Sequence, residues 1–157
     1  MESLDCKMEP LPENWQQACA ALQACLPAGI CAVKIEPAGM DPSEIASAVY
    51  EVRYPVQMRQ DVLRAVQAYN TVPQALAEKK GKKGKIKQID LKQYLPALEV
   101  QEKDGAVFFS VQLPAGNTLT VNPALLLDYL ENEAGLPSGA PRILRVALKT
   151  QSNENFC

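Results

Sequence analysis

The turn Asp104-Gly105 constrains the fold of this chain more than any other short stretch of it. It separates two stretches, 98–103 and 106–113, in which apolar and polar residues alternate. Alternation places the apolar side chains on one face of an extended strand. Asp-Gly between two such stretches is a strong hairpin signal, because both turn positions need positive φ angles. The segment therefore predicts two antiparallel strands that share one buried face.

The rest of the chain divides into predicted strands, in which apolar and polar residues alternate, and predicted helices, in which apolar residues recur every three or four positions. Further strands are predicted at 3–9, 30–38, 49–56, 72–77, 85–89 and 141–150. Helices are predicted at 13–26, 58–70, 91–98 and 123–134. For the last helix, Asn122 is the expected N-cap, Pro123 the first residue and Gly135 the C-cap. Single helices mixed with hairpins indicate an α+β fold, with helices on one face of a largely antiparallel sheet.

Three segments are expected along the chain. Residues 1–40 predict a βαβ half-unit, and residues 41–150 predict a ferredoxin-like βαββαβ sandwich with an inserted lysine-rich ribbon. Residues 151–157 predict a flexible polar tail. A lone βαβ unit exposes its strand edges and one sheet face. We therefore expect the half-unit either to dock on the second segment or to lack a part that this chain does not contain.

The chain contains no histidine, and its five cysteines form no CxxC pair. Histidine is the commonest general base and metal ligand, and the six-residue cysteine spacing fits neither a zinc site nor an iron–sulfur cluster. The sequence therefore predicts no metal, no cofactor and no catalytic residue. An enzyme that works with carboxylates and lysines is kept as an alternative.

The charge and hydropathy patterns bear on partners and location. The net charge of −2 argues against a basic surface that covers the whole protein. No apolar run is long enough to cross a bilayer, and the first ten residues carry acids where a secretory signal carries bases. We therefore expect no membrane contact, a cytoplasmic location and reduced cysteines.

A lysine-rich stretch, EKKGKKGKIK at 78–87, interrupts this slightly acidic chain. Its candidate anion- or RNA-binding residues are Lys79, Lys80, Lys82, Lys83, Lys85 and Lys87. Lysines on a glycine-containing loop neutralise phosphates without reading a base sequence, and glycines let backbone N–H groups approach a phosphate. The alternative is a hairpin that its own charges keep solvated. The loop has no aromatic residue on which a base would stack.

Arg53, on the predicted strand YEVRY, is a further candidate for anion binding. Glu51 and Arg53 share one face of that strand, and Tyr50 and Tyr54 share the other. The two tyrosines suit either a stacking platform for RNA bases or packing in the core, and packing is the commoner use. Both alternatives stay open at the level of the sequence.

Asp90 follows the ribbon and precedes the helix predicted at 91–98. It is expected to act as a structural N-cap, which contributes about 1 kcal/mol without any catalytic role. Asp128 and Glu131 are expected on the solvated face of the helix at 123–134. No spacing in the sequence brings two carboxylates together as an acid–base pair.

Four segments in order resemble the radical-SAM-associated domain of unknown function DUF2344: SLDCKMEPL, LPAGICAVKIEPA, ASAVYEVRYPV and KKGKKGKIKQIDLKQYLPALEV. Members of that family look like YLDLEL…P, LPxGLxVLxAxE, AxYxV and KKGxKxxDIRPxI. The resemblance covers roughly residues 3–150 and corresponds to the C-terminal two-thirds of the family domain, since a GFNPxPK-type N-terminal part is absent. Lys92 and Gln93 stand where the family tends to have Arg-Pro.

The resemblance implies an accessory role beside, or fused to, a radical SAM protein. Three hypotheses follow. In the first, this chain is a non-catalytic interaction domain that docks on the radical SAM partner and helps to present an RNA or another anionic substrate. In the second, it binds RNA or another polyanion by itself through the Lys79–Lys87 loop. In the third, it is a small enzyme that uses carboxylate and lysine groups.

Overall fold

The computed structural model of the chain describes residues 8–37, 39–80, 86–139 and 141–156. Contacts divide the chain into two compact units, Met1–Asp41 and Pro42–Cys157. The first unit contains helix α1 (Trp15–Cys25). The second unit contains, in order, β1 (Ile45–Pro55), α2 (Arg59–Thr71), β2 (Leu76–Lys80), β3 (Ile86–Asp90), β4 (Val100–Lys103), β5 (Ala106–Pro114), α3 (Pro123–Asn132) and β6 (Arg142–Thr150).

The second unit is built on a four-stranded sheet with the order β4-β5-β1-β6. Every neighbouring pair in it is antiparallel. The strands β2 and β3 form a separate antiparallel ribbon. Apart from this ribbon, the elements follow the order β-α-β-β-α-β that the sequence predicted. The α+β class is confirmed.

The hairpin between β4 and β5 turns at Asp104 and Gly105, as predicted. Both residues have positive φ, 52° and 70°, which is the requirement of a two-residue turn that matches the twist of its strands. Lys103 and Ala106, on either side of the turn, are the last paired residues of the two strands. The register of β4 on β5 therefore follows from the turn chemistry.

One face of the sheet is buried under α2 and α3. From β1 this face contributes Val52 and Tyr54, and from β5 it contributes every second residue. The buried core cluster of the second unit comprises Val52, Tyr54, Val62, Ala65, Val66, Tyr69, Ala75, Ala77, Leu91, Leu95, Leu98, Val107, Phe109, Val111, Leu113, Val121, Leu126, Leu127, Leu130 and Leu136. The alternation read from the sequence therefore decides which face of each strand meets the helices.

The start of α3 matches its predicted cap. Asn122 accepts a hydrogen bond from the Ala124 N–H at 2.9 Å, and Pro123 is the first helical residue. Beyond the helix, Gly135 has a φ of 71°. This left-handed conformation reverses the chain, so that the Leu136 N–H donates to the Leu130 carbonyl at 2.9 Å.

Asn70 was expected to end α2, but it lies inside the helix and binds a distant segment. Its Nδ2 donates to the Leu98 carbonyl at 2.9 Å, and its Oδ1 accepts from the Leu98 N–H at 2.8 Å. The side-chain amide thus pairs with both backbone groups of a residue two positions before β4. The connection between the ribbon and β4 is fixed on α2 by this pair.

The first unit differs from the predicted βαβ half-unit. The strand predicted at 3–9 falls mostly outside the described residues, and the segment 30–37 forms neither a helix nor a strand. Instead, Gln23 of α1 donates to the Ile30 carbonyl at 3.1 Å and accepts from the Ala32 N–H at 2.8 Å. A strand needs a neighbouring backbone for its N–H and C=O groups, and here a glutamine amide takes that place.

The last residues, predicted as a flexible tail, turn back beside β6. The Asn153 N–H donates to the Thr150 carbonyl at 3.0 Å, and the Phe156 N–H donates to the Leu148 carbonyl at 2.9 Å. Asn155 forms an isolated antiparallel bridge with Lys149. Residues 151–156 therefore form a tight turn and the start of a further strand pairing.

The Asn70–Leu98 pair leads to a prediction about stability. We expect Asn70→Ala to lower the free energy of unfolding by about 1 kcal/mol, because two backbone groups lose their partner. Gln67→Ala, at an exposed position of the same helix, is the matched control and should change it by less than about 0.5 kcal/mol. Urea denaturation measures both, and equal effects of the two substitutions would contradict the assignment.

Candidate functional site

The described lysines of this stretch lie on the ribbon β2–β3. A ribbon was predicted here, but its first strand was expected at 72–77 and lies at Leu76–Lys80. Its pairing is continuous from Leu76 to Lys80 on β2. Of the six candidate lysines, Lys82, Lys83 and Lys85 lie outside the described residues, and so does the side chain of Lys80. The anion-binding hypothesis can therefore be placed only on the two remaining lysines.

These two lysines, Lys79 and Lys87, lie directly opposite each other in the ribbon. The next pair on the same face, Ala77 and Ile89, is buried. Lys79 Nζ donates to the Thr120 carbonyl at 2.7 Å and so ties β2 to the loop before α3, whereas Lys87 is exposed. Like charges directly opposite each other destabilise a ribbon, so an anion at this end would relieve a local repulsion.

Arg53 lies on β1, on the sheet face opposite the core. Its guanidinium binds the Glu51 carboxylate at 2.5 and 2.9 Å and lies over the Phe108 ring, 5.4 Å from its centroid. Phe108 is only 7% exposed. The ribbon packs on the other side of the sheet, where Ala77 joins the core. Among the described residues, Arg53 therefore does not share a site with Lys79 and Lys87.

The alternatives for Tyr50 and Tyr54 are resolved by burial. Tyr54 is 1% exposed, and Tyr50 packs against the core. The stacking-platform interpretation was wrong, and the packing interpretation is confirmed. The even-numbered residues of β1 point towards the helices, so the rings of Tyr50 and Tyr54 cannot stack on an RNA base.

Asp90 is a structural anchor between two segments. One oxygen, Oδ1, accepts from the Lys92 N–H and from the Ala75 N–H, both at 3.0 Å. The first bond caps a short 3₁₀ turn, Leu91–Gln93. This turn replaces the longer helix that was predicted at 91–98. Asp90 therefore holds both ends of the ribbon together at its base.

A cluster around Lys92 was not predicted from the sequence. Lys92 Nζ lies 4.2 Å from the centroid of the Tyr69 ring and donates to the Pro96 carbonyl at 2.9 Å. The Tyr69 hydroxyl donates to the Leu95 carbonyl at 2.6 Å, and its ring meets Tyr129 edge to face. Burial, with a contribution from Asp90, raises the pKa of Tyr69. Lys92 and Tyr69 thus fix the loop 91–96, and both donate hydrogen bonds to its backbone carbonyls.

Tyr54 contrasts with Tyr69. Its hydroxyl is buried and has no hydrogen-bond partner among the described residues. Burial, reinforced by the charge of Glu131, raises the pKa of Tyr54 to about 12. Its ring lies 6.3 Å from that of Phe109 in a tilted arrangement. The hydroxyl is therefore a cost to folding that the ring's packing outweighs.

Two open grooves lie on the described surface. One runs along α2 and is lined by Gln60, Leu63, Arg64, Val66, Gln67, Asn70, Thr71 and Val100. The other lies in the first unit and is lined by Trp15, Gln16, Cys19, Ala20, Gln23, Ala32, Val33, Lys34 and Ile35. Neither lining contains a carboxylate. In the described part of the chain, no group of three or more histidine, cysteine or acidic residues is placed to hold a metal ion.

No helix in the described ranges combines the length and the apolar composition that a membrane span needs.

The molecule is an α+β protein whose described polar clusters anchor loops. The family model described as "Uncharacterized protein conserved in bacteria (DUF2344)" matches residues 1–123 of this 157-residue chain. The chain belongs to the DUF2344 family. No curated protein and no solved structure matches it.

The two buried tyrosines give a paired prediction. At pH 7 we expect Tyr54→Phe to raise the free energy of unfolding by about 1 kcal/mol, because it removes a buried hydroxyl that has no partner. Tyr69→Phe should lower it by about 1 kcal/mol, because the Leu95 carbonyl loses its donor. Thermal and urea denaturation of the two variants measure this difference, and a change of the same sign in both would contradict it.

The raised pKa of Tyr54 also predicts a pH dependence. In the unfolded chain a tyrosine ionises near its ordinary pKa of about 10, whereas folded Tyr54 ionises only near 12. The stability that comes from this difference in pKa is therefore fully present below pH 10 and is lost as the pH rises from 10 towards 12. The unfolding free energy of Tyr54→Phe should fall less steeply over this interval, and parallel curves would contradict the assignment.

Proposed function

We propose that this chain is a non-catalytic accessory domain that docks on a partner protein through its first unit. The observation that carries the proposal is the character of α1. Its 11 residues, WQQACAALQAC, include no charged residue, and none of them is buried. A helix that faces only water normally carries charged residues on its exposed face. An uncharged helix with apolar side chains at its surface is typical of a contact surface.

The groove beside α1 supports the same proposal. Trp15 and Cys19 line it from the helix, and Val33 and Ile35 line it from the segment 30–37. The two hydrogen bonds of Gln23 hold this segment against α1, so the groove is formed before any partner binds. Apolar grooves of this kind mark interaction sites more often than isolated apolar residues do.

The partner is proposed from the family resemblance, which implies a radical SAM protein. In such a pair the reactive chemistry takes place on the partner, and this chain contributes surface and charge. The groove linings, which contain no carboxylate, favour this accessory role over a small enzyme that uses carboxylates and lysines. The accessory role requires no cofactor in this chain.

The docking proposal is tested with the radical SAM protein of the same source organism. We expect the two purified proteins to form a complex in isothermal titration calorimetry. The double variant Leu22→Glu/Val33→Glu should weaken the complex at least tenfold, because Leu22 is an exposed apolar residue of α1 and Val33 an exposed residue that lines the groove, and a charge at either position opposes apolar burial.

Leu11→Glu is the matched control, because Leu11 is also an exposed apolar residue of the first unit but does not line the groove. It should leave the affinity unchanged. The proposal would be wrong if no complex forms, or if both variants bind as tightly as the unchanged chain.

We also propose, as a second candidate function, that the ribbon contacts RNA or another polyanion. The opposed pair Lys79 and Lys87 favours it, because two positive charges already meet at this end of the ribbon. Lysines on such a ribbon would bind phosphates without base specificity. In the accessory role, this contact would present an anionic substrate to the partner.

This second candidate predicts a change in salt dependence. Single-stranded RNA should bind the unchanged chain, and Lys82→Gln/Lys83→Gln/Lys85→Gln should lower the slope of log affinity against log salt by about 2. The control Lys34→Gln/Lys103→Gln/Lys149→Gln removes the same charge elsewhere and should not change the slope. Fluorescence anisotropy measures both, and equal slopes would exclude the ribbon as the contact.

A further inference from the structure

We propose that Arg53 and Arg142 form a binding site for a phosphate monoester on the face of the sheet opposite the core. The inference goes beyond both proposed functions, because the site uses neither α1 nor the ribbon. Arg142 also lies beyond the family match, which ends at residue 123. The ligand class follows from the geometry and the charge of the two arginines.

The two arginines are cross-strand neighbours. Arg53 of β1 stands directly opposite Arg142 of β6, and the pairing of the two strands is regular from Tyr50 to this point. Directly opposite residues of an antiparallel pair point to the same face, with Cβ atoms about 5 Å apart. The two guanidinium groups, each on a long side chain, can therefore reach the same anion.

Contacts within the sheet hold Arg53 in place before any ligand binds. Its Nε and Nη2 donate to one oxygen of Glu51, at 2.9 and 2.5 Å, and its guanidinium lies 5.4 Å from the centroid of the Phe108 ring. A guanidinium carries five N–H donors, and the hydrogen bonds to Glu51 use two of these. The Arg53 side chain is still 35% exposed. Because it is both fixed and accessible, it would lose little conformational freedom on binding an anion.

Arg142 supplies a second positive charge at the surface. It is exposed, and like charges directly opposite each other destabilise a pair of strands. Glu51 balances the charge of one of the two arginines, so Glu51, Arg53 and Arg142 together carry one excess positive charge. A bound anion would offset this charge and relieve the repulsion between the arginines.

A phosphate monoester fits this pair better than a carboxylate does. The two oxygens of a carboxylate are already engaged by a single guanidinium fork. A phosphate monoester has three acceptor oxygens and a charge of about −1.5 to −2 at pH 7, so it can bridge both arginines. Leu144 stands opposite Glu51 on the same face and is 39% exposed. It offers an apolar surface to the organic group of the ester, which favours an organic phosphate over inorganic phosphate.

The probe for the test is phenyl phosphate, titrated into the full chain and followed by NMR. We expect the backbone amide signals of Arg53 and Arg142 to shift. Arg142→Gln should weaken binding about fivefold or more, because charge-assisted hydrogen bonds to the phosphate are lost. Arg53→Lys keeps the charge but removes the planar fork, and it should weaken binding too. Lys149→Gln removes the same charge from the same strand at a distance of seven residues, and it should change the affinity by less than about twofold.

The pH dependence of binding reports the charge of the ligand. Phenyl phosphate changes from a monoanion to a dianion near pH 6, and the chain has no histidine that would titrate in the same interval. The affinity should therefore rise between about pH 5 and about pH 7.5. Phenyl sulfate, which has a similar shape but stays a monoanion, should bind more weakly at the higher pH and show no such rise. The proposal is wrong if phenyl phosphate does not bind, if Arg142→Gln has no effect, or if the two ligands bind equally at the higher pH.

A phosphate monoester can belong to a small metabolite or to the 5′ end of an RNA strand, and a further titration separates the two sources. Pentauridylate with and without a 5′-phosphate is added to the Lys82→Gln/Lys83→Gln/Lys85→Gln variant, so that these lysines of the ribbon do not contribute. If the phosphorylated strand binds much more tightly than phenyl phosphate and needs Arg142, the site takes an RNA end, whereas similar affinities assign it to a small metabolite. Arg142-dependent binding of the unphosphorylated strand with equal affinity would overturn the assignment to a monoester. None of these outcomes depends on whether a partner protein docks at α1.

Discussion

The central strand β1 is the constraint on which the rest of the second unit depends. It pairs with β5 on one side and with β6 on the other, both antiparallel. Its even positions, such as Val52 and Tyr54, are buried under the helices, while Glu51 and Arg53 form an ion pair on the opposite face. Since a shift by one residue would exchange these faces, the burial of alternate residues fixes the register of β5 on β1. The pairing of β1 with β6 contains two register irregularities.

Polar side chains complete this framework where backbone pairing stops. Asn70 binds both backbone groups of Leu98, Asp90 joins two N–H groups at the base of the ribbon, and Gln23 holds the segment 30–37 on α1. Backbone groups outside helices and sheets need other hydrogen-bond partners, and these three side chains supply them. Clusters that resemble sites by composition are therefore structural anchors.

The surfaces that carry the functional proposals lie on different elements. The uncharged helix α1 offers apolar contact, and the ribbon offers positive charge. None of them needs a reactive group in this chain. A domain that acts by contact and charge would place each of these surfaces against a different part of a partner or substrate.

The sequence by itself determined the α+β class, the β4–β5 hairpin, the Asn122–Pro123 start of α3 and the family, because these depend on local turn chemistry, capping and alternation. It also placed Glu51 and Arg53 on one face of the strand, but their ion pair was not predicted and is a finding of the structure. Only the tertiary structure decided that Tyr54 is buried, that the segment 30–37 pairs with Gln23 rather than with a described strand, and that Lys92 packs on Tyr69. These contacts join residues far apart in the chain or depend on which face meets the core, and local patterns contain no information about either.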